Sequence, residues 1–334
     1  MRVLLIADTH LGFDQPQRPR VQRRRRGPDF FSCFERALEP ALAGKVDLVV
    51  HGGDLLYRAR VPADLVRRAV RPLRRVADLG VPVVLVPGNH ERSRIPFPLL
   101  AQHPHLHIFH RPQTFALRLH GQRVVVSGFP FARRVGHGGF ARLLESTGWT
   151  EHPAEVRLLC MHQAVEGARV GVHDYTFRRG PEVIERSAIP SGFAGVLTGH
   201  LHRAQQLRRD LAAPVVYPGS VERTSFVERE ETKGYYLLRF EPDASGGRLV
   251  DAHFVSLPAR PMRAVEVDAS GLSAKETLRR VLARLEECET DAVVRVELSG
   301  EPLGDSLAAR VRALAPERMN LSLAWRSERV ARRS

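Results

Sequence analysis

The stretch of residues 47–57 most constrains what this chain can fold into. Its apolar run, residues 48–50, predicts a buried strand, and two glycines and Asp54 come soon after it. A parallel strand that ends in this way delivers one acidic side chain to the carboxyl edge of a sheet, where glycines let the backbone turn sharply. A single carboxylate has little meaning alone, so its interpretation depends on the residues at the ends of the other strands.

Four further predicted strands also end in polar residues. These strands cover residues 2–7, 81–86, 157–161 and 194–197, and helices are predicted at residues 30–43 and 63–79. The first hundred residues therefore alternate strand and helix, and open α/β sheets place their sites at the carboxyl ends of the strands. The polar residues at these ends are Asp8 and His10, then Asn89, His90 and Glu91, then His162, and finally His200 and His202.

Together with Asp54, these residues predict a di-metal hydrolase. A carboxylate can bridge two cations, and imidazole with carboxylate and amide oxygen suits Mn²⁺, Fe or Zn²⁺ better than Mg²⁺ or Ca²⁺. Two metals about 3.5–4 Å apart can hold a phosphoryl group and activate a water. Each cluster is a weak signal alone, and their order along the chain carries the prediction. None of Cys33, Cys160 and Cys288 belongs to the set, which argues against a structural zinc site.

The charge of the chain favours a polyanionic partner. The net charge is +14, with 51 Lys and Arg against 37 Asp and Glu. Such a surplus attracts nucleic acid. The polar segment of residues 12–28 is predicted to be a loop beside the site, and it contains Arg23, Arg24, Arg25 and Arg26. The residues alone leave two readings of this run open, a solvated charge cluster or a loop that contacts phosphates.

Composition shifts at residues 256–261, which predicts a linker between residues 1–257 and a small α/β unit at residues 262–334. No apolar run approaches the roughly 20 residues of a membrane span. A strand is predicted directly after Met1, so we expect no signal peptide. The cysteine usage indicates a reducing compartment, and we expect a cytoplasmic protein.

The strand-end clusters resemble those of a known superfamily. The order Asp-x-His, Gly-Asp, Gly-Asn-His-Glu, His, Gly-His-x-His is similar to that of the calcineurin-like metallophosphoesterases. Residues 7–12, 53–56, 218–223 and 233–236 further resemble the SbcD-type DNA repair nucleases, and the likeness spans roughly residues 1–257. The resemblance implies a four-layer α/β fold, with two central sheets flanked by helices, and a small C-terminal α/β cap.

The same resemblance implies a role for each site residue. Two divalent transition metals, Mn²⁺ first with Fe or Zn as alternatives, would share Asp54 as a bridge. His90 would stabilise the transition state or protonate the leaving oxygen, and Glu91 would hold the His90 ring. One metal would be held by Asp8, His10 and His202, and the other by Asn89, His162 and His200. The substrate would be contacted by Tyr57, Arg58, Arg23, Arg24, Arg25 and Arg26.

The implied function is a Mn²⁺-dependent DNA nuclease of DNA repair, with DNA as partner, guided to the metals by the cap and the basic loop. The alternatives are a phosphoesterase for nucleotides or other small phosphoesters, and a non-catalytic nucleic-acid-binding scaffold. Related nucleases often carry histidine where this chain has Tyr57, which leaves exonuclease and endonuclease action open. The chain stops at Ser334, where the family's partner-binding helices would follow, so an SbcC-type ATPase partner stays open without support from the sequence; a homodimer also stays open.

Overall fold

The computed structural model describes residues 1–14, 25–91, 102–171, 173–300 and 305–326. The chain divides into two units. The larger consists of described residues from 1–13, 27–223 and 231–259, and the smaller consists of described residues 14, 25–26, 224–230, 260–300 and 305–326. The chain passes finally into the smaller unit between Ala259 and Arg260, and the division into domains from composition stays a prediction.

The larger unit contains most of the regular structure. Its helices are α1 (Gly27–Leu42), α2 (Ala63–Asp78) and α3 (Gly139–Glu145). Its strands are β1 (Arg2–Ile6), β2 (Leu48–His51), β3 (Val83–Leu85), β4 (Leu106–Ile108), β5 (Gln113–Leu119), β6 (Gln122–Gly128), β7 (Val156–Met161), β8 (Ala164–Val165), β9 (Arg169–Val170), β10 (Tyr175–Thr176), β11 (Val183–Ile184), β12 (Gly195–Thr198), β13 (Gln205–Leu207), β14 (Val215–Tyr217), β15 (Gly234–Glu241) and β16 (Arg248–Ser256).

Two large sheets form the centre of this unit. In the described residues the first has the order β16-β15-β1-β2-β3-β4, and the second has the order β13-β14-β12-β7-β6-β5. Strands β1 to β4 are parallel, as are β6, β7, β12 and β14, whereas β5, β13, β15 and β16 run antiparallel to their neighbours. The carboxyl ends of the parallel strands therefore collect at one edge of each sheet.

Alternating side chains of one strand serve two cores. Val3 and Leu5 point between the two sheets, while Leu4 and Ile6 point outward to a core shared with α1 and α2. Both faces of the strand are buried, which explains its continuous apolar run. A third core covers the outer face of the second sheet and includes Phe140 of α3. The expected four-layer α/β fold, with two sheets flanked by helices, is confirmed.

Some elements were not predicted. Helix α3 begins at Gly139, where the sequence predicted no helix, and Gly138 precedes it with a positive φ of 80°. Strand β16 was missed because it is an outer strand of its sheet with few buried residues, so its apolar alternation is weak. Across the part of the chain that the structure describes, no helix is long and apolar enough to cross a membrane.

The smaller unit consists of a three-stranded parallel sheet and helices that share one hydrophobic core with it. Its strands β17 (Met262–Asp268), β18 (Val293–Ser299) and β19 (Asn320–Trp325) pair in chain order, and its helices are α4 (Ala274–Glu286) and α5 (Asp305–Leu314). Ser273 caps the start of α4 through a capping box, in which its hydroxyl accepts the Glu276 N–H and the Glu276 carboxylate accepts the Ser273 N–H.

Candidate metal centre

The loops that follow β1 and β2 are joined through their backbones. The N–H of Asp8 donates to the carbonyl of Gly53 at 2.9 Å, and the N–H of His10 donates to the carbonyl of Asp54 at 3.0 Å. Asp8, His10, Asp54 and His200 all have positive φ, at 50°, 43°, 51° and 85°. Such backbone is rare for side chains with a Cβ and clusters at functional sites, where the surrounding structure maintains it.

Side-chain atoms that can bind a metal converge at this edge. The candidate ligand atoms lie within 4.8 Å of one another in each of three overlapping groups, two of which share Asp54 and two of which share Asp8. His10 is also shared by two groups, so the three groups overlap in one continuous cluster of candidate ligands. The groups are Asp8, His10 and His202; His10, Asp54 and His90; and Asp8, Asp54 and His162.

Asn89 completes the set from the loop after β3. Its Oδ1 lies 3.1 Å from His162 Nε2 and 3.1 Å from His200 Nδ1. His162 Nδ1 donates to the carbonyl of Gly52 at 2.8 Å, which directs Nε2 toward the site. With this Asn89 orientation, a neutral His162 would set its Nε2 lone pair against the Asn89 oxygen, and a proton or a metal cation between the two atoms would relieve that repulsion. The donor atoms thus fit a divalent cation.

The electrostatics of the site point the same way. Burial would lower the pKa of His162, but the carboxylates of Asp54 and Asp8 outweigh it and raise the pKa to about 9. Burial would raise the pKa of Asp54, yet the charge of His162 and its hydrogen bond hold that pKa well below its usual range. Burial raises the pKa of Asp8 to about 6. The site therefore binds a proton when it has no other cation, and metal binding must displace it.

Gly53 makes the close packing around His162 feasible. A Cβ at this position would stand 2.2 Å from His162 Nδ1, and the backbone φ is +112°, which side chains rarely adopt. The glycine that precedes Asp54 therefore lets the loop after β2 approach the imidazole closely. This is the structural reason for the Gly-Asp pair that the sequence showed at the strand end.

His90 and Glu91 make different contacts from those that the resemblance implied. His90 Nδ1 bonds to the backbone carbonyl of Tyr57, and its Nε2 lies 3.8 Å from Asp54 Oδ2. The Glu91 carboxylate is buried and accepts the N–H groups of Leu56, at 2.7 Å, and Gly88, at 2.6 Å. The Tyr57 carbonyl, rather than Glu91, therefore orients the His90 ring. Glu91 instead joins the loops that follow β2 and β3.

The residues predicted to contact substrate have different environments. Tyr57 is half-buried against Phe13 and lies near His90, with ring centroids 5.0 Å and 6.2 Å away. Arg58 is exposed on the same loop. Arg25 pairs with Asp14. The side chain of Arg26 is only 1% exposed, and its role as a substrate contact stays a prediction. Arg23 and Arg24 lie outside the described residues.

His51 is a site residue that sequence reasoning missed. It is fully buried, and its Nδ1 accepts the N–H of Gly53 at 3.3 Å. Its Nε2 therefore carries the proton and donates to Thr9 Oγ1 at 3.1 Å, and Thr9 donates to the carbonyl of Leu55 at 3.1 Å. This chain of bonds fixes the loops of Asp8 and Asp54 to each other. Burial, followed by the charge of His162, lowers the pKa of His51 to about 3, so it stays neutral.

Lys233 lies beneath His202 and was also missed as a site residue. Its Nζ donates to the backbone carbonyl of His202 at 2.9 Å and to Glu231 Oε2 at 2.8 Å, and its side chain is fully buried. Three lysines stand among the 51 basic residues of the chain. A compact ammonium on a flexible stem suits this buried position, where a planar guanidinium would need more donors satisfied.

We expect Lys233→Met to lower the free energy of unfolding by about 3 kcal/mol, because it leaves the Glu231 carboxylate without its buried partner. Urea denaturation measures this loss. Lys275→Met is the matched control, since Lys275 is exposed on α4 and should change stability by less than about 0.5 kcal/mol. Equal stability of the two variants would show that the buried contact contributes nothing.

Known proteins share these features. The family model described as calcineurin-like phosphoesterase matches residues 1–204, which include the clusters from Asp8 to His202. The chain belongs to this family. A DNA double-strand break repair protein Mre11 from Haloferax volcanii is 34% identical over 302 residues, covering 90% of this chain and 62% of that protein. The Mre11 of Methanopyrus kandleri is 28% identical, covering 85% and 63%.

The chain therefore spans about three fifths of the length of these curated relatives. Among solved structures, the protein TT1561 of Thermus thermophilus aligns with 76% of this chain and 98% of its own, at 13% identity and a TM-score of 0.48.

Proposed function

We propose that this chain is the nuclease module of a DNA repair protein, a metal-dependent phosphodiesterase that cleaves DNA. The observation that carries the proposal is the convergence of the predicted donor atoms from the strand ends of both sheets, with His90 beside them. Asp8, His10 and His202 would hold one divalent metal, Asn89, His162 and His200 a second, and Asp54 would bridge them. Mn²⁺ is the expected metal, because the donors mix imidazole nitrogen with carboxylate and amide oxygen.

The chain's own residues would arrange the reaction. When bound, the metals supply positive charge for the phosphodiester and acidity for the attacking water. His90 is held through Nδ1 by the Tyr57 carbonyl, so its Nε2 is the nitrogen that can face a substrate. Its side chain is 36% exposed, whereas those of Asp54 and His162 are buried. His90 would therefore stabilise or protonate the oxygen that leaves the phosphate.

Two observations favour DNA over a small phosphoester. The named relatives are DNA double-strand break repair proteins, and the net charge of +14 attracts a polyanion without regard to its sequence. Motifs of this chain also resemble those of the SbcD-type DNA repair nucleases. A cap role for the smaller unit, in guiding the DNA strand, forms part of the same proposal.

The test of this function compares substrates for one purified protein. We expect Mn²⁺ to support cleavage of end-labelled single- or double-stranded DNA, and a chelator to stop it. Ladders from each labelled end would separate exonuclease polarity, and a closed circular substrate would reveal internal cuts. A panel of nucleotides, cyclic nucleotides and other small phosphodiesters is the comparison. Efficient hydrolysis of one of these, with no cleavage of any DNA, would overturn the proposal.

His90→Gln should lower kcat for DNA cleavage on the order of 10²-fold, because it removes a group that acts on charge developing in the transition state. Initial rates at saturating DNA measure this, and metal content by mass spectrometry should equal that of the wild type. His253→Gln serves as control, since His253 is exposed on β16. A wild-type kcat in His90→Gln would remove His90 from the mechanism.

A further inference from the structure

Helix α2 presents an exposed stripe of arginines outside the proposed metal centre. Its apolar residues face the core shared with α1 and the first sheet. The opposite side carries arginine at positions separated by one, three and four residues, which places them along one side of the helix. We call this set the α2 stripe: Arg67, Arg68, Arg71, Arg74 and Arg75, all exposed.

The stripe begins close to the proposed catalytic edge. The bridge between Leu11 and Leu56 joins the loops that carry His10 and Asp54. Leu65, in the first turn of α2, lies against Gly12, since a Cβ on that glycine would stand 2.5 Å from Leu65 Cδ2. The start of α2 is therefore adjacent to the loop that carries His10. The connecting loop from Asp54 to α2 also exposes Arg58 and Arg60, which extends positive charge from the site to the helix.

The charge of the stripe is not compensated by neighbouring carboxylates. Within the described part of the chain, none of its five arginines forms an ion pair, and Arg68 instead stacks on Phe31 at 3.8 Å. The helix has acidic residues only toward its ends, Asp64 and Asp78, and Asp78 bonds to His103 at 3.1 Å. Like charges three and four residues apart destabilise a helix. An anionic partner would remove that repulsion.

We propose that the α2 stripe binds the phosphate backbone of the DNA whose scissile bond lies at the metal centre. This proposal rests on the proposed nuclease function and adds a second, sequence-independent contact to it. From Arg67 to Arg75 the helix rises about 12 Å, and one DNA strand places a phosphate about every 3.4 Å along the axis. The stripe therefore matches about three to four nucleotides of one strand.

The test measures how DNA binding depends on salt. The variant Arg67→Gln/Arg71→Gln/Arg74→Gln keeps good helix formers and removes three charges. The control Arg118→Gln/Arg142→Gln/Arg208→Gln removes three exposed arginines borne by β5, by α3 and by the loop after β13. Fluorescence anisotropy of a labelled duplex in chelator, which prevents cleavage, gives the affinity at several salt concentrations.

We expect the α2 variant to lower the slope of log affinity against log salt by about 2 to 3, since each lost phosphate contact contributes about 0.9. The control should lower it by less than about 1. The defect should shrink on oligonucleotides too short to reach past the site. Equal slopes for the two variants would overturn this inference. If the wild type still cleaved DNA, the nuclease proposal would remain standing. Absence of both DNA binding and DNA cleavage by the wild type would instead overturn the proposed function.

Discussion

Replacing Asp54 by asparagine is expected to lower DNA cleavage by about 10³-fold or more while the protein stays folded. Asp54 is the proposed bridge between the two metals, and its carboxylate lies within 4.8 Å of the candidate ligand atoms of His10 and of His162. Bound metals stabilise transition-state charge by several kcal/mol, and each 1.36 kcal/mol is tenfold in rate. In the wild type, Asp54 Oδ1 accepts the backbone N–H of His90 at 3.0 Å. The side-chain oxygen of asparagine can still accept that N–H. The local backbone contact should therefore survive.

Initial cleavage rates and metal content per protein chain measure the effect together. Asp251→Asn provides the control, because Asp251 is exposed on β16 and the substitution removes the same charge. We expect Asp54→Asn to lose metal as well as activity, and Asp251→Asn to lose neither. If Asp54→Asn retained both full metal content and activity within tenfold of the wild type, Asp54 would not be the shared ligand.

The positions of the metal-centre residues could be predicted because they depend on local sequence. An apolar run that ends in polar residues fixes both the strand and the edge to which Asp54 or His162 is delivered. The same holds for α1 and α2, whose apolar spacing is regular. The predicted ends of these elements differ from the observed ones by a few residues, since helix and strand ends depend on contacts made elsewhere.

The supporting residues could not be predicted because their contacts join distant parts of the chain. Lys233 bonds to a carbonyl 31 residues earlier, and His51 bonds to Thr9 across 42 residues. Glu91 illustrates a second difficulty. Its sequence neighbour His90 suggested a contact, but consecutive residues in a turn can point apart, and its carboxylate accepts backbone N–H groups of the Leu56 and Gly88 loops instead.

The N–H of Gly88 donates to Glu91, and the glycine itself packs directly against the proposed bridging ligand. A Cβ at this position would stand 2.1 Å from Asp54 Oδ1 and 2.5 Å from the Asp54 backbone nitrogen. Real Cβ atoms do not approach backbone so closely, and the Asp54 loop is fixed by its bonds to the loop after β1. Any methyl group at residue 88 must therefore displace the Asp54 loop or the loop that carries Asn89 and His90.

We accordingly expect Gly88→Ala to lower DNA cleavage by about 10²-fold or more, because a displacement near 1 Å in a catalytic site has an effect of that size. Overpacking should also lower the free energy of unfolding by about 1–3 kcal/mol. Cleavage rates at a temperature well below the unfolding midpoint separate the two effects. Gly180→Ala is the matched control, since a Cβ there would find its nearest neighbours at 3.9 Å. If Gly88→Ala cleaved DNA at the wild-type rate, the Asp54 and Asn89 loops could separate without loss of activity. Their close contact would then not be needed to hold the metal ligands in place.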